Sequence, residues 1–180
     1  MWNEVWTTFV SEFSDLPDAA QVTRIVLRLS LAGLLGALLG YEREQKGKAA
    51  GLRTHMLVAM GSAMFVMIPQ HAGLEQAEMS RVIQGIIAGV GFLCAGTILK
   101  QGKDEQQVQG LTTAAGLWMT AAIGMACGLG RESTAALSTL LALVVLMAVP
   151  RVVTLIERLI GPPAQPAPRV SPSRSEPEEP

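Results

Sequence analysis

From Ala19 to Gly40 the chain reads AAQVTRIVLRLSLAGLLGALLG, and the length of that run decides the fold. An α-helix rises ~1.5 Å per residue, so about 20 apolar residues cross a hydrocarbon core ~30 Å thick. Four more runs of comparable length follow, roughly Leu52–Pro69, Val82–Leu99, Thr112–Leu129 and Ser133–Val149. Backbone polar groups in lipid have to be satisfied within the segment itself, so these runs are helices rather than strands or loops. The reading is an all-α, polytopic membrane bundle of about five transmembrane helices, called spans 1 to 5 below.

Composition points the same way. Hydrophobic residues make up 49% of the chain and charged residues only 16%, with 18 glycines, a mixture suited to closely packed membrane helices. A net charge of −1 carries no basic footprint for nucleic acid. Span 1 does not read as a cleaved signal peptide. It starts after an acidic leader and runs into Tyr41-Glu42-Arg43-Glu44 with no small-residue cleavage site.

Lys and Arg fall unevenly between alternate loops. Arg43, Lys46, Lys48 and Arg53 follow span 1, Lys100 and Lys103 follow span 3, and Arg151, Arg158, Arg169 and Arg174 follow span 5. The other face has Arg24, Arg81 and Arg131. The positive-inside rule then predicts a multi-pass protein of the bacterial inner membrane, N-terminus periplasmic and C-terminus cytoplasmic.

Three segments are expected. Residues 1–16 hold Trp2, Val5, Trp6, Phe9, Val10 and Phe13 on one helical face, which predicts an amphipathic helix in the outer interface, with a disordered leader as the alternative. Ser14-Asp15-Leu16-Pro17 offers caps and an early Pro for the next helix. Residues 17–160 form the transmembrane domain. Residues 161–180, rich in Pro, Ser and Glu, predict a disordered cytoplasmic tail, because they carry too little apolar surface to offset ordering entropy.

Helices in lipid associate through close backbone approach, which small residues permit. Span 1 has Ala32, Gly36 and Gly40 at four-residue spacing, span 3 has Gly85 and Gly89, and span 4 has Thr112, Gly116, Thr120, Gly124 and Gly128. Two uses fit these stripes: packing within one chain, read as the main one, and a homodimer interface.

Polar residues sort by face. The predicted cytoplasmic ends gather Glu42, Arg43, Arg53, Thr54, His55, Thr97, Lys100, Thr112 and Thr113 from three separate blocks. That convergence is the best site candidate, and a charged helix-end belt with snorkelling Arg and Lys is its plain alternative. Arg28 lies about 12 residues, or ~18 Å of helix rise, from Gly40. That depth predicts an interhelical contact with Gln84 and charge pairing with Glu78, outward snorkelling toward Arg24 being the alternative. No Asp or Glu falls in the runs themselves, which is unlike an ion-coupled carrier. His55 and His71 sit at opposite faces, as do Cys94 and Cys127, so neither a metal site, a disulfide nor a cofactor is expected. No nucleotide loop or nucleophile with its base is present, and the chain does not read as an enzyme.

Four blocks then read together: Leu34–Glu44 (LLGALLGYERE), Ala50–Met60 (AGLRTHMLVAM), Gly89–Leu99 (GVGFLCAGTIL) and Gly110–Trp118 (GLTTAAGLW). In this order they resemble the membrane domain of the MgtC/SapB family of bacterial inner-membrane proteins, from about Arg24 to Arg151. The family's GER-like turn falls on Gly40–Arg43, its GLRTH block on Gly51–His55 and its GFLGAG block on Gly91–Gly96. Cys94 stands where the pattern often has Gly, and Gln109 where an Arg commonly precedes the GLTTAA block. The soluble C-terminal domain of longer members is not in this sequence, so roles that need it are not carried over. The resemblance implies adaptation to low magnesium and, in pathogens, survival in macrophages. It implies a non-enzymatic regulator of other membrane proteins, with the F-type ATP synthase as a partner type. A small-solute or ion transporter with a pathway between spans 1, 3 and 4 is the alternative.

Overall fold

The computed structural model describes residues 1–12, 18–73, 75–99 and 109–160, with backbone alone for Gln76 and Leu99. The order is α1 (Trp2–Glu12), α2 (Ala19–Gln45), α3 (Leu52–His71), α4 (Gln76–Leu99), α5 (Leu111–Gly128) and α6 (Glu132–Ile160). Five of these, α2 to α6, are long and apolar enough to cross a membrane, matching spans 1 to 5. The chain divides into two compact units, Met1–Val145 and Leu146–Pro180. The segment 161–180, expected to be a tail, lies outside the described residues, as do Phe13 and the expected Ser14–Pro17 caps.

Helix α1 forms where the period of 3.6 puts Trp2, Val5, Trp6, Phe9 and Val10 on one side. All its residues are exposed, and the Trp6 and Phe9 rings stack with centroids 5.9 Å apart. Asp18 caps α2, its Oδ1 accepting from the Ala20 amide at 3.2 Å. Span 1 was expected to close at Gly40, but α2 runs on to Gln45. Nothing between Gly40 and Gln45 breaks a helix, and the first residue that reverses the backbone is Gly47, at φ +62°. Glu42 and Arg43 are therefore helical and buried, rather than part of a loop. The far end differs as well. Span 5 was expected to close at Val149, yet α6 continues through Pro150 to Ile160. One proline forfeits one backbone bond and kinks a helix without obliging it to stop. In the second unit, Arg151 Nη1 donates to the Met147 carbonyl and Thr154 Oγ1 to the Pro150 carbonyl, at 2.6 and 2.9 Å.

In the first unit α3 and α5 pack against each other; α2 lies across both of them, and α4 likewise packs on both. Small residues set how close they come. A Cβ on Gly36 would stand 2.7 Å from the His55 carbonyl oxygen and 3.0 Å from Ala59 Cβ. A Cβ on Gly40 would stand 2.7 Å from Leu52 Cα, and one on Gly124 or Gly128 would run into the backbone of Ala59 or Ala63. Ala59 thus touches α2 through one face and α5 through another, and it is wholly buried with Ala63. These contacts are the small-residue mode of membrane helix packing. Gly116 is looser, its would-be Cβ only 3.6 Å from His55 Nε2. Gly85 and Gly89 on α4 have nothing within 4 Å. A second cluster, Val66, Ile86, Val90 and Ala121, seats α4.

Candidate functional site

The turn end of the bundle, where α2 and α4 close and α3 and α5 begin, brings together part of the expected polar cluster. Arg43 is 3% exposed, and its Nη2 donates to Thr113 Oγ1 on α5 at 3.1 Å. Glu42, also buried, receives Lys46 Nζ one turn on through Oε1, and its Oε2 lies 3.8 Å from Arg43 Nη1. His55 has no exposed surface, and its Nδ1 donates to the Gly51 carbonyl at 3.0 Å. Its Nε2 and Arg43 Nε find no hydrogen-bond partner among the described residues. Four of the expected residues therefore lie buried where α2, α3 and α5 meet: Glu42, Arg43, His55 and Thr113.

The rest of the cluster is arranged differently. Arg53, Thr54 and Thr112 are exposed, and Thr97 is half-buried with its hydroxyl donating to its own helix at the Cys94 carbonyl. Lys100 lies outside the described residues. Gly110 explains the tight entry into α5. Its φ of +91° excludes most side chains, and a Cβ there would stand 2.8 Å from the Thr97 carbonyl oxygen. Cys94 ties α4 to α5, its thiol donating to the Ala114 carbonyl at 3.1 Å.

Glu44 had no expected role. Its Oε2 accepts from the Leu52 amide at 2.7 Å and so caps the first turn of α3, where Gly51 offers no side chain. A carboxylate at a helix N-terminus also meets the favourable end of its dipole. The sequence hides this cap because the acceptor comes from the preceding helix.

At the opposite end the expected Arg28–Gln84 contact is replaced. Arg28 Nη1 donates to Gln70 Oε1 at 3.2 Å and to the Gly128 carbonyl at 2.9 Å, and its Nε lies 3.7 Å from Glu132 Oε1. Gln84 and Glu78 are exposed. Depth along the axis was not the deciding quantity; the neighbours were. Helix α2 packs on α3 and α5, so Arg28 meets the last turns of those two and the first of α6. Charged hydrogen bonds are worth roughly 1.5–3 kcal/mol each. With the Arg28 side chain 19% exposed, Arg28→Leu should cost about 2 kcal/mol, read by chemical denaturation in detergent. Gln84→Leu should change stability by less than ~0.5 kcal/mol. Equal effects would show that Arg28 is not engaged as described.

Between these ends the interior is apolar and close-packed. Ala32, Leu35 and Leu39 of α2, Ala59, Ala63 and Val66 of α3, and Leu117, Ala121 and Ile123 of α5 are all buried. Thr120, buried among them, turns its hydroxyl onto the Gly116 carbonyl of its own helix. Among the described residues no group of three or more His, Cys, Asp or Glu side chains could hold a metal ion, and both cysteines are free.

Comparison with known proteins places this arrangement. The MgtC family profile matches residues 29–155. Protein SrpB of Synechococcus elongatus is 48% identical over 113 residues, which are 57% of this chain and 62% of SrpB. YhiD of Escherichia coli K12, whose name is "Putative magnesium transporter YhiD", is 40% identical over 131 residues, 67% of this chain and 58% of YhiD. Protein MgtC of Salmonella typhimurium LT2 is 42% identical over 118 residues, 66% of this chain and 49% of MgtC. The matched region thus spans about half to three fifths of these relatives. No solved structure matches. With five apolar helices and a profile match across most of them, the chain is a multi-pass membrane protein that belongs to the MgtC family.

Proposed function

We propose that this chain is a non-enzymatic regulator in the bacterial inner membrane that acts by contact on other membrane proteins during adaptation to low magnesium. Its charged turn end faces the cytoplasm in this reading, as the distribution of Lys and Arg favours. The observation that carries the choice of regulator over transporter is the closed apolar waist between α2, α3 and α5. Among the described residues α4 packs on α3 and α5 and not on α2, so spans 1, 3 and 4 do not close around a common path. Gly36 and Gly124 bring two helix backbones against Ala59, the side chains around them are mainly Ala, Leu, Val and Ile, and the Thr120 hydroxyl is held by its own helix. A path for a hydrated cation needs polar groups or water along its length. The buried charges Glu42 and Arg43 pair with Lys46, Thr113 and each other at one end, where they hold helices together. Arg53, Thr54 and Thr112 stay exposed beside that buried core and offer a docking surface.

Two measurements test the reading. Purified protein in liposomes with an entrapped magnesium indicator should show no flux above protein-free vesicles; saturable flux would overturn the proposal in favour of a transporter. Affinity capture in mild detergent from cells shifted to low magnesium should retain the F-type ATP synthase, the partner type that the family resemblance implies. Arg53→Ala, a substitution at an exposed side chain, should lower that retention several-fold without changing stability. Equal retention would remove Arg53 from the docking surface.

A further inference from the structure

Helices α2 and α5 spend their glycines on contacts inside the chain, and α4 does not. Gly85, Gly89 and Gly96 recur on one face of α4 at helical spacing, all exposed, with nothing within 4 Å of where a Cβ would be. Beside them runs an apolar groove of about 630 Å³ between α3 and α4. Its floor includes Gly61, Gly85 and Gly89, and its rims include Leu57, Phe65 and Leu93. Ser62 also lines the groove, only 4% exposed, with no hydrogen-bond partner among the described residues. A hydrocarbon chain in the groove would offer that hydroxyl no acceptor.

Charge narrows the occupant further. Glu78 and Arg81 sit one to two turns before Gly85 and flank the same stripe. Both are exposed, and neither makes an ion pair or side-chain hydrogen bond among the described residues. One acid and one base beside an open glycine stripe are complementary to their own copies across a two-fold axis. There Glu78 of each chain meets Arg81 of the other, as an isologous interface requires.

We propose that the α4 face with the α3–α4 groove is the interface for a second copy of this chain. The two α4 helices cross at Gly85 and Gly89, with two reciprocal Glu78–Arg81 pairs at one end and the partner's helix offering Ser62 an acceptor. Crossings of this glycine type are right-handed, at about −40°. The dimer leaves the Arg28 contacts and the Glu42–Arg43 cluster untouched, since both are formed by residues of one chain away from the open face of α4.

The test uses the full chain in membranes. Gly85→Cys and Gly91→Cys both place a side chain in open space, so both variants should fold. Oxidation should give a covalent dimer with Gly85→Cys and none with Gly91→Cys or the parent, whose Cys94 and Cys127 are at most half-exposed. In liposomes, mixed donor- and acceptor-labelled protein should show energy transfer that falls on dilution with lipid. Glu78→Arg should weaken dimerisation about tenfold, equivalent to about 1.4 kcal/mol, and Glu78→Arg with Arg81→Glu should restore it. Four results would overturn the proposal: no energy transfer at any dilution, equal cross-linking at Gly91→Cys, cross-linking of Gly85→Cys to a different protein, or a charge-swapped double variant no better than the single one.

Discussion

Gly124→Ala is expected to destabilise the folded protein by about 3 kcal/mol or more, the largest effect of a single added methyl group among the described glycines. The added carbon would collide with the Ala59 carbonyl of α3, and the neighbouring Ala59 Cα and C would both stand 2.8 Å away. Overpacking that a flexible side chain can absorb costs roughly 1–3 kcal/mol. Here the obstacle is helix backbone, so α3 and α5 have to separate. Separation also opens the contact of Gly36 with Ala59, since the same residue meets both helices. Gly91→Ala is the matched comparison, because its Cβ meets nothing and it lies off the proposed contact between α4 helices. That change should lie between neutral and about 1 kcal/mol stabilising, from the better helix propensity of alanine. Denaturant titration of both variants in detergent measures the difference. If Gly91→Ala were the more damaging, α3 and α5 would not approach as described and the closed waist would lose its support.

This contrast also shows where sequence reading stops. Apolar length alone predicts five spans, and each is a helix in the structure, because lipid leaves the backbone no other way to satisfy itself. The helical face of Trp2, Val5, Trp6 and Phe9 likewise predicts α1. Spacing does not tell a glycine that packs from one that stays open. Gly124 and Gly85 sit in similar small-residue stripes, and only the choice of neighbouring helix separates them. Arg28 fails for the same reason: depth on an axis can be counted from sequence, whereas Gln70, Gly128 and Glu132 reach it from three different elements. Helix ends were less legible than the helices themselves. Gly47 follows the α2 exit and Gly110 precedes the α5 entry with positive φ, whereas Gly40 and Pro150 lie inside helices. Within the candidate site, the meeting of the signature blocks at one end followed from the alternation of spans. Which members are buried did not follow. Arg43 and His55 read as helix-end charges, yet they turn into the α2–α3–α5 contact while Arg53 and Thr54 turn away.

Arg43→Met should cost about 3–5 kcal/mol, the usual penalty for removing one member of a buried ion pair. The loss is larger than the single bond to Thr113 suggests. Glu42 stays buried, and the charge that remains to it is Lys46, whose side chain is 41% exposed and whose attraction water weakens. Removing both charges follows a different course. Glu42→Leu with Arg43→Met replaces the pair by apolar volume in a site only 9% and 4% exposed, which is often neutral or stabilising. The double variant should therefore be more stable than Arg43→Met alone, by about 2 kcal/mol or more. Unfolding titrations of both single variants and the double, run as one thermodynamic cycle, measure this coupling. Additive losses would show that Glu42 and Arg43 act separately, and the cluster would then be two unrelated helix-end charges. A coupled result makes the pair the fastening between α2 and α5 at the turn end. An apolar double variant that still captures the partner, beside an Arg53→Ala variant that does not, would then separate the residues that hold the bundle together from those that dock.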